Sequence, residues 1–333
     1  MTTPVPLLVI GAGPCGLAVG VAARRAGVPC VLVDRRNVVS TIERYPLNMT
    51  FFSTPERIEI GDVPLVTASE KPTRRDGLIY YRRVAEHYRL DVRVGEEITA
   101  LRPAPGGGFE AEGHGPHGQA VRYDAGAVVV ATGYYDWPNL LDVPGETLPH
   151  VSHYFSEGHR YWRRRVVIVG AGNSAVDAAL ECWRAGARVT LVHMGEALDG
   201  SVKPWVLPDI TNRLKEGSID ARWRTRLVGI APDSVDLLSE ATGERECLPA
   251  DAVLLMTGFH AGTGLLERLG VPVDPVTGVP AHDEATMETA VPGCYLAGVI
   301  ASGKDANRLF IENSRIHGER IVQHLLNTQR AAR

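Results

Sequence analysis

The strongest constraint on the fold of this chain is a glycine fingerprint near its start, which recurs near its middle. The first copy, LLVIGAGPCG, spaces Gly11, Gly13 and Gly16 as G-x-G-x-x-G. It follows an apolar β-branched run and opens an apolar helical stretch, the context in which this spacing is typical of dinucleotide binding. Glycines here allow a tight turn and a close backbone approach to a pyrophosphate, which the N-terminus of the helix attracts.

The second copy, VVIVGAGNSA, places Gly170, Gly172 and Ala175 at G-x-G-x-x-A spacing after another apolar run. We expect Asn173 and Ser174, which begin the following helix, to cradle a pyrophosphate together with these residues. Two such sites predict two dinucleotides, and a flavin that receives electrons from a nicotinamide is the natural pairing. The predicted fold class is α/β, with two Rossmann-like, three-layer ββα dinucleotide-binding domains.

The first fingerprint belongs to a complete βαβ unit. We predict a strand over Leu7–Ile10, a helix over Pro14–Arg25 and a second strand over Cys30–Asp34. Asp34 ends the second strand about 20 residues after the glycines, where an acidic side chain can hold a ribose hydroxyl. Pro14, at the first helical position, is included in the same predicted cofactor site.

The segment after this unit, RYPLNMTFFSTPERIEIGDVPL, is rich in aromatic and turn residues and has no regular period. We expect an ordered loop packed over the flavin, with Asn48 as a contact of the cofactor. Thr73 is then predicted to cap a helix that extends to about Tyr88.

Short alternating runs follow and predict a meander of hairpins, because glycine- and turn-rich stretches separate them. The last strand ends in Ala131, Thr132 and Gly133, and such an A-T-G ending packs beside the cofactor in two-dinucleotide flavoproteins. An M-T-G sequence ending at Gly258 repeats this feature in the second half. The predicted strands are Ile98–Arg102, Phe109–Glu112, Ala120–Tyr123 and Ala127–Ala131.

The second half repeats the organisation of the first, beginning with a strand at Arg165. We therefore predict an FAD-binding domain of residues 1–140 and 257–333, with an NAD(P)H-binding domain of residues 141–256 inserted in it. The further predicted elements are a helix over Ser174–Ala185, a strand over Arg188–His193, short strands between Ile219 and Leu248, strands over Asp251–Met256 and Tyr295–Ala297, a loop over Gly298–Lys304 and an amphipathic helix over Asn307–Leu326.

Composition excludes several classes of function. A net charge of -4 without a basic stripe argues against nucleic acid, and no apolar run is long enough for a membrane span. The N-terminus lacks a basic region and a cleavage site, so we expect a cytoplasmic protein. No two of the five cysteines form a C-x-x-C pair and none has zinc-ligand spacing, so no metal is expected. We expect a homo-oligomer, either a dimer or a tetramer.

The order of these parts resembles the small flavoprotein reductases typified by bacterial thioredoxin reductase. Those enzymes carry a C-x-x-C shortly before the second fingerprint, whereas here that stretch reads VSHYFSEGHRYWRRR, without a cysteine. A more specific resemblance is to the bacilliredoxin reductases, also called bacillithiol disulfide reductases. It is carried by GAGPCG, RYPLNMTFFSTPERIEIGDVP, KPTRRDGLIYYRRV, VKPWVLPDI and LAGVIASGKDANRLFIENSRIHG, which together span nearly the whole chain.

This resemblance implies an NADPH-dependent FAD enzyme that keeps a low-molecular-weight thiol, or its glutaredoxin-like partner, reduced. It implies that Cys15, inside the first fingerprint, is the redox-active residue. From its position alone Cys15 is either a small residue replacing alanine or a thiol whose pKa the helix dipole lowers, against the opposing charge of a pyrophosphate. The resemblance also places Gly298 and Asn307, which precede and open the final helix, at the flavin ring.

The sequence defines less well which residues distinguish NADPH from NADH. Related NADPH enzymes place an arginine where Met194 stands, directly after the return strand of the second βαβ unit. A hold on the 2′-phosphate must then come from elsewhere, with Lys203 as a candidate and His193 contributing a hydrogen bond. We take NADPH as the hypothesis for the electron donor, on the basis of the resemblance, and NADH stays open as an alternative.

The predicted activity is a disulfide reductase in which a hydride passes from the nicotinamide to the flavin and the electrons reach a disulfide through Cys15. With no resolving cysteine nearby, the expected intermediate is a mixed disulfide between Cys15 and half the substrate. Two alternatives stay open. One is a flavin-dependent monooxygenase, although FSEGHRYW does not fit the F-x-G-x-x-x-H signature of that class. The other is a redox-sensing or ferredoxin-linked flavoprotein.

Overall fold

The structure of the protein is a computed structural model that describes residues 2–305 and 308–331. Its described residues form two compact units. The larger comprises residues 1–45, 49–137 and 259–333, and the smaller comprises residues 46–48 and 138–258, within the described limits.

The strands, in chain order, are β1 (Thr3–Ile10), β2 (Cys30–Asp34), β3 (Asp91–Val94), β4 (Glu97–Pro103), β5 (Phe109–His114), β6 (Ala120–Val130), β7 (Val151–Ser152), β8 (Arg165–Val169), β9 (Arg188–Val192), β10 (Asp220–Arg222), β11 (Thr225–Ile230), β12 (Ser234–Ser239), β13 (Arg245–Pro249), β14 (Ala252–Leu255) and β15 (Cys294–Leu296). The α-helices are α1 (Pro14–Arg25), α2 (Ser40–Glu43), α3 (Pro55–Ile58), α4 (Arg74–His87), α5 (Asn173–Arg184), α6 (Leu207–Lys215), α7 (Gly264–Leu269), α8 (Ile311–Ser314) and α9 (His317–Ala331). Short 3₁₀ helices lie at Gly158–Tyr161 and Val299–Ser302.

The larger unit is built on a parallel sheet in the order β3-β2-β1-β6-β15. Leu7, Leu8 and Val9 of β1 have no solvent exposure, as expected for a parallel strand covered on both faces. Helix α1 packs against α4 and α9. The close approach of α9 depends on Gly318, since a Cβ there would lie 2.6 Å from the backbone of Ala18.

Strand β6 corrects one prediction, because it runs unbroken from Ala120 to Val130 where we expected two strands. Its first half pairs antiparallel with β5, which itself pairs with β4, and its second half lies between β1 and β15. Gly126 lies within the strand, and a Cβ at that position would lie 2.9 Å from the carbonyl oxygen of Pro6. The glycine is thus a point of close backbone approach rather than a turn.

The smaller unit repeats this plan. Its parallel sheet has the order β10-β9-β8-β14-β7, and β11, β12 and β13 form an antiparallel meander. Ile168 pairs with Leu191 on one side and with Leu254 on the other, and all three are buried. Both units are therefore Rossmann-like three-layer domains, with the smaller inserted in the sequence of the larger.

The helix at Arg74–His87 confirms the predicted cap. The Thr73 side chain accepts from the Asp76 N–H and the Asp76 carboxylate accepts from the Thr73 N–H, which is a capping box. Strand β3 was not predicted, and it pairs with β2.

The predicted helix over Asn307–Leu326 is wrong at its start, because α9 begins at His317 after the short helix α8. Asn307 itself lies outside the described residues. No helix in the described part of the chain is both long and apolar enough to cross a membrane.

Candidate functional site

The three glycines of the first fingerprint differ in what a side chain would meet at each position. Gly11 has a φ of +113°, and a Cβ there would lie 2.4 Å from the carbonyl oxygen of Ala131. A Cβ on Gly16 would lie 1.9 Å from the carbonyl oxygen of Gly11, so this glycine sets the contact between helix and turn. A Cβ on Gly13 would meet nothing within 4 Å. Gly13 therefore keeps open the space in front of the helix, where a ligand would approach.

The second fingerprint reproduces this arrangement in the smaller unit. Gly170 has a φ of +128°, and a Cβ there would lie 2.5 Å from the carbonyl oxygen of Met256. Gly172, like Gly13, faces space with nothing within 4 Å. Ala175 is fully buried, which shows that this turn accommodates the methyl group that the first does not.

These observations test whether the chain fits two dinucleotides. Helices α1 and α5 each follow an extended glycine N-cap, Gly13 and Gly172, that has no side chain to cap the helix. The first N–H groups of a helix have no partner within it and attract an anion. Open space, free N–H groups and a positive helix end are what a pyrophosphate requires, so both sites fit.

Asp34 lies at the predicted end of β2, where it fastens the fingerprint loop. Its Oδ2 accepts the Ala12 N–H at 2.9 Å and its Oδ1 accepts the Arg36 N–H at 2.9 Å. Each carboxylate oxygen still has a lone pair with which to accept a ribose hydroxyl.

Cys15 occupies the first turn of α1 and is partly buried. Its Sγ lies 3.2 Å from the Oγ of Ser314 in α8. The Ser314 hydroxyl donates to the carbonyl oxygen of Phe310, which can only accept. Since a serine hydroxyl has a single proton, the Cys15 thiol is the donor in the contact with Ser314.

Burial opposes the lowering of the Cys15 pKa that a helix dipole alone would cause. Loss of solvent raises the pKa of this thiol to about 11, and the hydrogen bond that the Ser314 hydroxyl can donate to the thiolate lowers the pKa only in part. Cys15 is therefore a protonated thiol at neutral pH in this structure.

Gly298 and His317 complete the surroundings of Cys15. A Cβ on Gly298 would lie 2.9 Å from the Cys15 Sγ, and the φ of Gly298 is +84°. The Gly298 N–H donates to Nδ1 of His317 at 3.2 Å. Burial, followed by the charges of Arg320 and His282, lowers the pKa of His317 to about 4. The imidazole is thus neutral, with its proton on Nε2.

Three of the other predicted cofactor positions, Ala131, Thr132 and Gly133, directly follow β6, and Ala131 lies against Gly11 of the first fingerprint. Ala131 is buried, and its N–H donates to the Ile10 carbonyl at 2.8 Å. Thr132 is exposed, and Gly133 has a φ of +71° with nothing within 4 Å of a Cβ. The A-T-G ending therefore supports the turn at its first residue and leaves open space at its last.

Gly258 and Asn48 belong to the smaller unit. The Gly258 carbonyl accepts the Asn139 N–H at 3.0 Å, and the Thr257 hydroxyl donates to the Asn139 carbonyl at 2.6 Å. The Asn48 amide donates to Oε1 of Glu181 at 3.0 Å. Cofactor contacts by Gly258 and Asn48 stay predictions.

Asn173 has a role that the sequence did not indicate. Its Nδ2 donates to the Ser201 carbonyl at 3.1 Å, and its Oδ1 accepts the Lys203 N–H at 3.0 Å. The loop that contains Lys203 is thereby fastened to the N-terminus of α5. Ser174, the next residue, is exposed at the same helix end.

His193 follows β9 and is partly buried. Its ring lies edge-on to that of Trp223, with centroids 6.3 Å apart, and its N–H donates to the Arg222 carbonyl at 3.0 Å. Met194 beside it is 59% exposed, so its side chain does not serve the core.

Sequence reasoning gave no role to Ser314 or His317. Both lie in the segment LFIENSRIHG, which carried the family resemblance, but nothing local indicates that they approach Cys15. No group of three or more histidine, cysteine or acidic side chains suited to a metal occurs among the described residues.

Comparison with known proteins places the chain in a family. Residues 8–298 match the family model of pyridine nucleotide-disulphide oxidoreductases. The chain is 40% identical to the bacilliredoxin reductase Bdr of Bacillus subtilis (strain 168) over 320 residues, which is 96% of each protein. It is similar to the solved bacillithiol disulfide reductase Bdr (YpdA) from Bacillus cereus, with a TM-score of 0.95 and 39% identity over 98% of this chain and 100% of the other. The structure of the same enzyme from Staphylococcus aureus gives a TM-score of 0.92 and 36% identity, covering 98% and 99% of the two chains.

Two fingerprints with open cradles, and likeness over nearly the whole length to named reductases, lead to one conclusion. The chain belongs to the bacilliredoxin reductase family of the pyridine nucleotide-disulphide oxidoreductases, and it is a flavoprotein oxidoreductase that uses a flavin and a nicotinamide cofactor.

Proposed function

We propose that this protein is an NADPH-dependent FAD disulfide reductase. Its substrate would be the disulfide of a low-molecular-weight thiol of the bacillithiol type, or the oxidised form of a bacilliredoxin. The observation that carries the proposal is a thiol, Cys15, inside a dinucleotide cradle, in a chain 40% identical to a bacilliredoxin reductase.

The two units divide the cofactors between them in this proposal. Gly11, Gly13, Pro14, Gly16 and Asp34 of the larger unit would hold the FAD, whose pyrophosphate would lie in the space in front of Gly13. In the smaller unit, the fingerprint from Gly170 to Ala175 would hold the pyrophosphate of NADPH. When bound, the flavin supplies a two-electron carrier between the nicotinamide and a disulfide.

Cys15 is the proposed site at which the disulfide becomes attached to the protein. A thiolate, not a thiol, attacks a disulfide, so Cys15 must first lose its proton. The resulting anion would be stabilised if the Ser314 hydroxyl turned from the Phe310 carbonyl to the sulfur. The Phe310 carbonyl would keep a partner, because it also accepts the Ser314 N–H at 3.0 Å.

The attack would form a bond between the Cys15 Sγ and one substrate sulfur and would break the substrate S–S bond. One half of the substrate leaves as a thiolate and takes up a proton. Two electrons and a further proton then cleave the mixed disulfide, which releases the second thiol and regenerates Cys15. NADPH is the source of the electron pair.

His317 would act by position alone. It is neutral over the physiological pH range, and its Nδ1 fixes the Gly298 N–H. Gly298 in turn sets the space beside the Cys15 sulfur. His317 would therefore position the Gly298 backbone beside Cys15 without taking part in proton transfer.

Substrate-dependent oxidation of NADPH tests the proposal. We expect slow oxidation of NADPH by the holoenzyme alone, and a large stimulation by bacillithiol disulfide or by an oxidised bacilliredoxin, with two thiols formed for each NADPH consumed. Cystine and glutathione disulfide serve as control disulfides. Oxidation that consumes oxygen and hydroxylates an organic substrate would instead indicate a monooxygenase. Flavin reduction without turnover of any disulfide would indicate a sensor or a ferredoxin-linked protein.

The homo-oligomeric state and the cytoplasmic location stay predictions. Light scattering after size-exclusion chromatography distinguishes a dimer or a tetramer from a monomer.

A further inference from the structure

We propose that Arg224 binds the 2′-phosphate of the nicotinamide dinucleotide, in place of the arginine that related enzymes carry at the position of Met194. This inference rests on the proposed use of NADPH. It assigns cofactor selection to a residue outside the βαβ unit in which such a residue is normally sought.

The backbone holds Arg224 beside the loop that follows β9. The His193 N–H donates to the Arg222 carbonyl at 3.0 Å, and the Thr225 N–H donates to the His193 carbonyl at 2.9 Å. Between them, the Arg224 N–H donates to the Gly195 carbonyl at 2.9 Å. The end of β9 is where a Rossmann domain meets the adenosine ribose, so these bonds bring Arg224 to the 2′ position.

The Arg224 side chain already binds an anion on this loop. Its guanidinium contacts the carboxylate of Glu196, which is two residues beyond Met194. The side chains are 54% and 74% exposed, and an exposed ion pair contributes little free energy. A 2′-phosphate carries up to two charges and three acceptor oxygens, and it suits the guanidinium fork better than one carboxylate oxygen does.

Two other cationic residues of this unit, Arg222 and Lys203, are held by contacts with other residues. Arg222 forms a two-point pair with Glu246, with Nε to Oε2 at 2.8 Å and Nη2 to Oε1 at 3.0 Å. The Lys203 N–H donates to Oδ1 of Asn173 at 3.0 Å, so the Lys203 backbone is held at the N-terminus of α5, where the pyrophosphate is proposed to bind. For this reason we propose Arg224, rather than the sequence candidate Lys203, as the residue that binds the 2′-phosphate.

The charge of Glu196 should weaken binding of the 2′-phosphate. Its carboxylate shares the loop with the proposed phosphate and must be displaced when the phosphate binds, because like charges repel. Removal of this charge would leave Arg224 unpaired and would favour a phosphorylated ribose.

Calorimetric titration of the oxidised holoenzyme tests the proposal without turnover. The probes are 2′,5′-ADP and 5′-AMP, which differ only in the 2′-phosphate. We expect Arg224→Met to weaken 2′,5′-ADP binding by roughly 10- to 100-fold and to leave 5′-AMP binding unchanged. Glu196→Gln should tighten 2′,5′-ADP binding by about 2- to 5-fold. Arg226→Met is the matched control, since Arg226 is similarly exposed, at 51%, and pairs with Glu240 at 2.7 Å.

A rescue variant separates a local effect from misfolding. Met194→Arg, added to Arg224→Met, should restore most of the lost affinity for 2′,5′-ADP, because it returns a guanidinium to the same loop. Equal binding of both probes by the wild type would overturn the proposed use of NADPH. Wild-type discrimination that survives in Arg224→Met would overturn the role of Arg224 and leave NADPH in place.

Discussion

The Sγ of Cys15 lies 3.2 Å from the Oγ of Ser314, although 299 residues separate them in the chain. Because Ser314 gives its own proton to the Phe310 carbonyl, the thiol is the donor in this contact, and its burial keeps it protonated. In this contact the Ser314 oxygen accepts from the thiol. Rotation of the Ser314 hydroxyl towards the sulfur would make Ser314 a donor, which would stabilise the Cys15 thiolate.

The first prediction concerns this contact. Ser314→Ala removes the hydroxyl that can stabilise the Cys15 thiolate, so alkylation of Cys15 at a fixed alkaline pH should slow by about three- to tenfold. The measurement is the pH dependence of iodoacetamide labelling of the Cys15 peptide, followed by mass spectrometry. Ser302→Ala is the control, because Ser302 is also a buried serine and donates instead to the Val299 carbonyl. Faster labelling in Ser314→Ala would contradict the account.

The second prediction separates the two roles of the fingerprint glycines. Gly16→Ala drives a methyl group into the Gly11 carbonyl, and we expect it to lower the free energy of unfolding by more than about 3 kcal/mol. Gly13→Ala points a methyl group into open space and should change the stability of the flavin-free protein by less than about 0.5 kcal/mol. It should nevertheless lose most of its flavin, measured by absorbance of the purified protein. Full flavin content in Gly13→Ala would show that the space in front of α1 is not the pyrophosphate site.

The third prediction concerns the loop fastened by Asn173. Asn173→Ala removes both side-chain hydrogen bonds, so the backbone of residues 199–203 should exchange its amide hydrogens faster and NADPH should bind about tenfold more weakly. Hydrogen-exchange mass spectrometry and equilibrium titration measure these effects. Asn212→Ala, at an exposed position of α6 in the same unit, is the control and should change neither. Unchanged exchange in Asn173→Ala would mean that other contacts hold the loop.

The fourth prediction is a pH dependence of stability. The pKa of His317 is about 4 in the folded protein and near 6.5 when unfolded, so the unfolded chain binds more protons between these values. The contribution of His317 is therefore intact above pH 6.5 and falls as the pH drops towards 4. Between pH 7 and pH 5 it should cost about 2 kcal/mol of unfolding free energy.

Denaturant unfolding at both pH values measures this term. His317→Gln should remove most of it, whereas His117→Gln, at an exposed site, should leave it unchanged. The same pH dependence in His317→Gln and in the wild type would assign the effect to other groups.

The sequence predicts elements whose signals are local. Both βαβ units have an apolar strand, a glycine turn and a helix in direct succession, and helix α1 has the predicted bounds Pro14–Arg25. Thr73 was recognisable as a cap because Asp76 stands three residues later. The single strand β6 was predicted as two, and within it a Cβ on Gly126 would lie 2.9 Å from the carbonyl oxygen of Pro6 on the neighbouring strand, a contact that is distant in sequence.

The candidate site depends more on contacts that are distant in sequence. The position of Cys15 was visible in the fingerprint, but its environment was not, since Ser314 and His317 come from the opposite end of the chain. Burial raises the pKa of Cys15, which opposes the effect that a helix N-terminus alone would have. The proximity of Arg224 to the loop after His193 could not be predicted from the sequence either, because it depends on the parallel pairing of β10 with β9.

The central claim is that electrons pass from NADPH through the bound flavin to a disulfide with the participation of Cys15. The most direct measurement is anaerobic reduction of the holoenzyme with one equivalent of NADPH, followed by reoxidation with bacillithiol disulfide in a stopped-flow instrument. We predict that wild type and Cys15→Ala are reduced at similar rates, and that only the wild type is reoxidised rapidly by the disulfide. Rapid reoxidation of Cys15→Ala would contradict the role of Cys15, and failure of the disulfide to reoxidise the wild type would contradict the reductase itself.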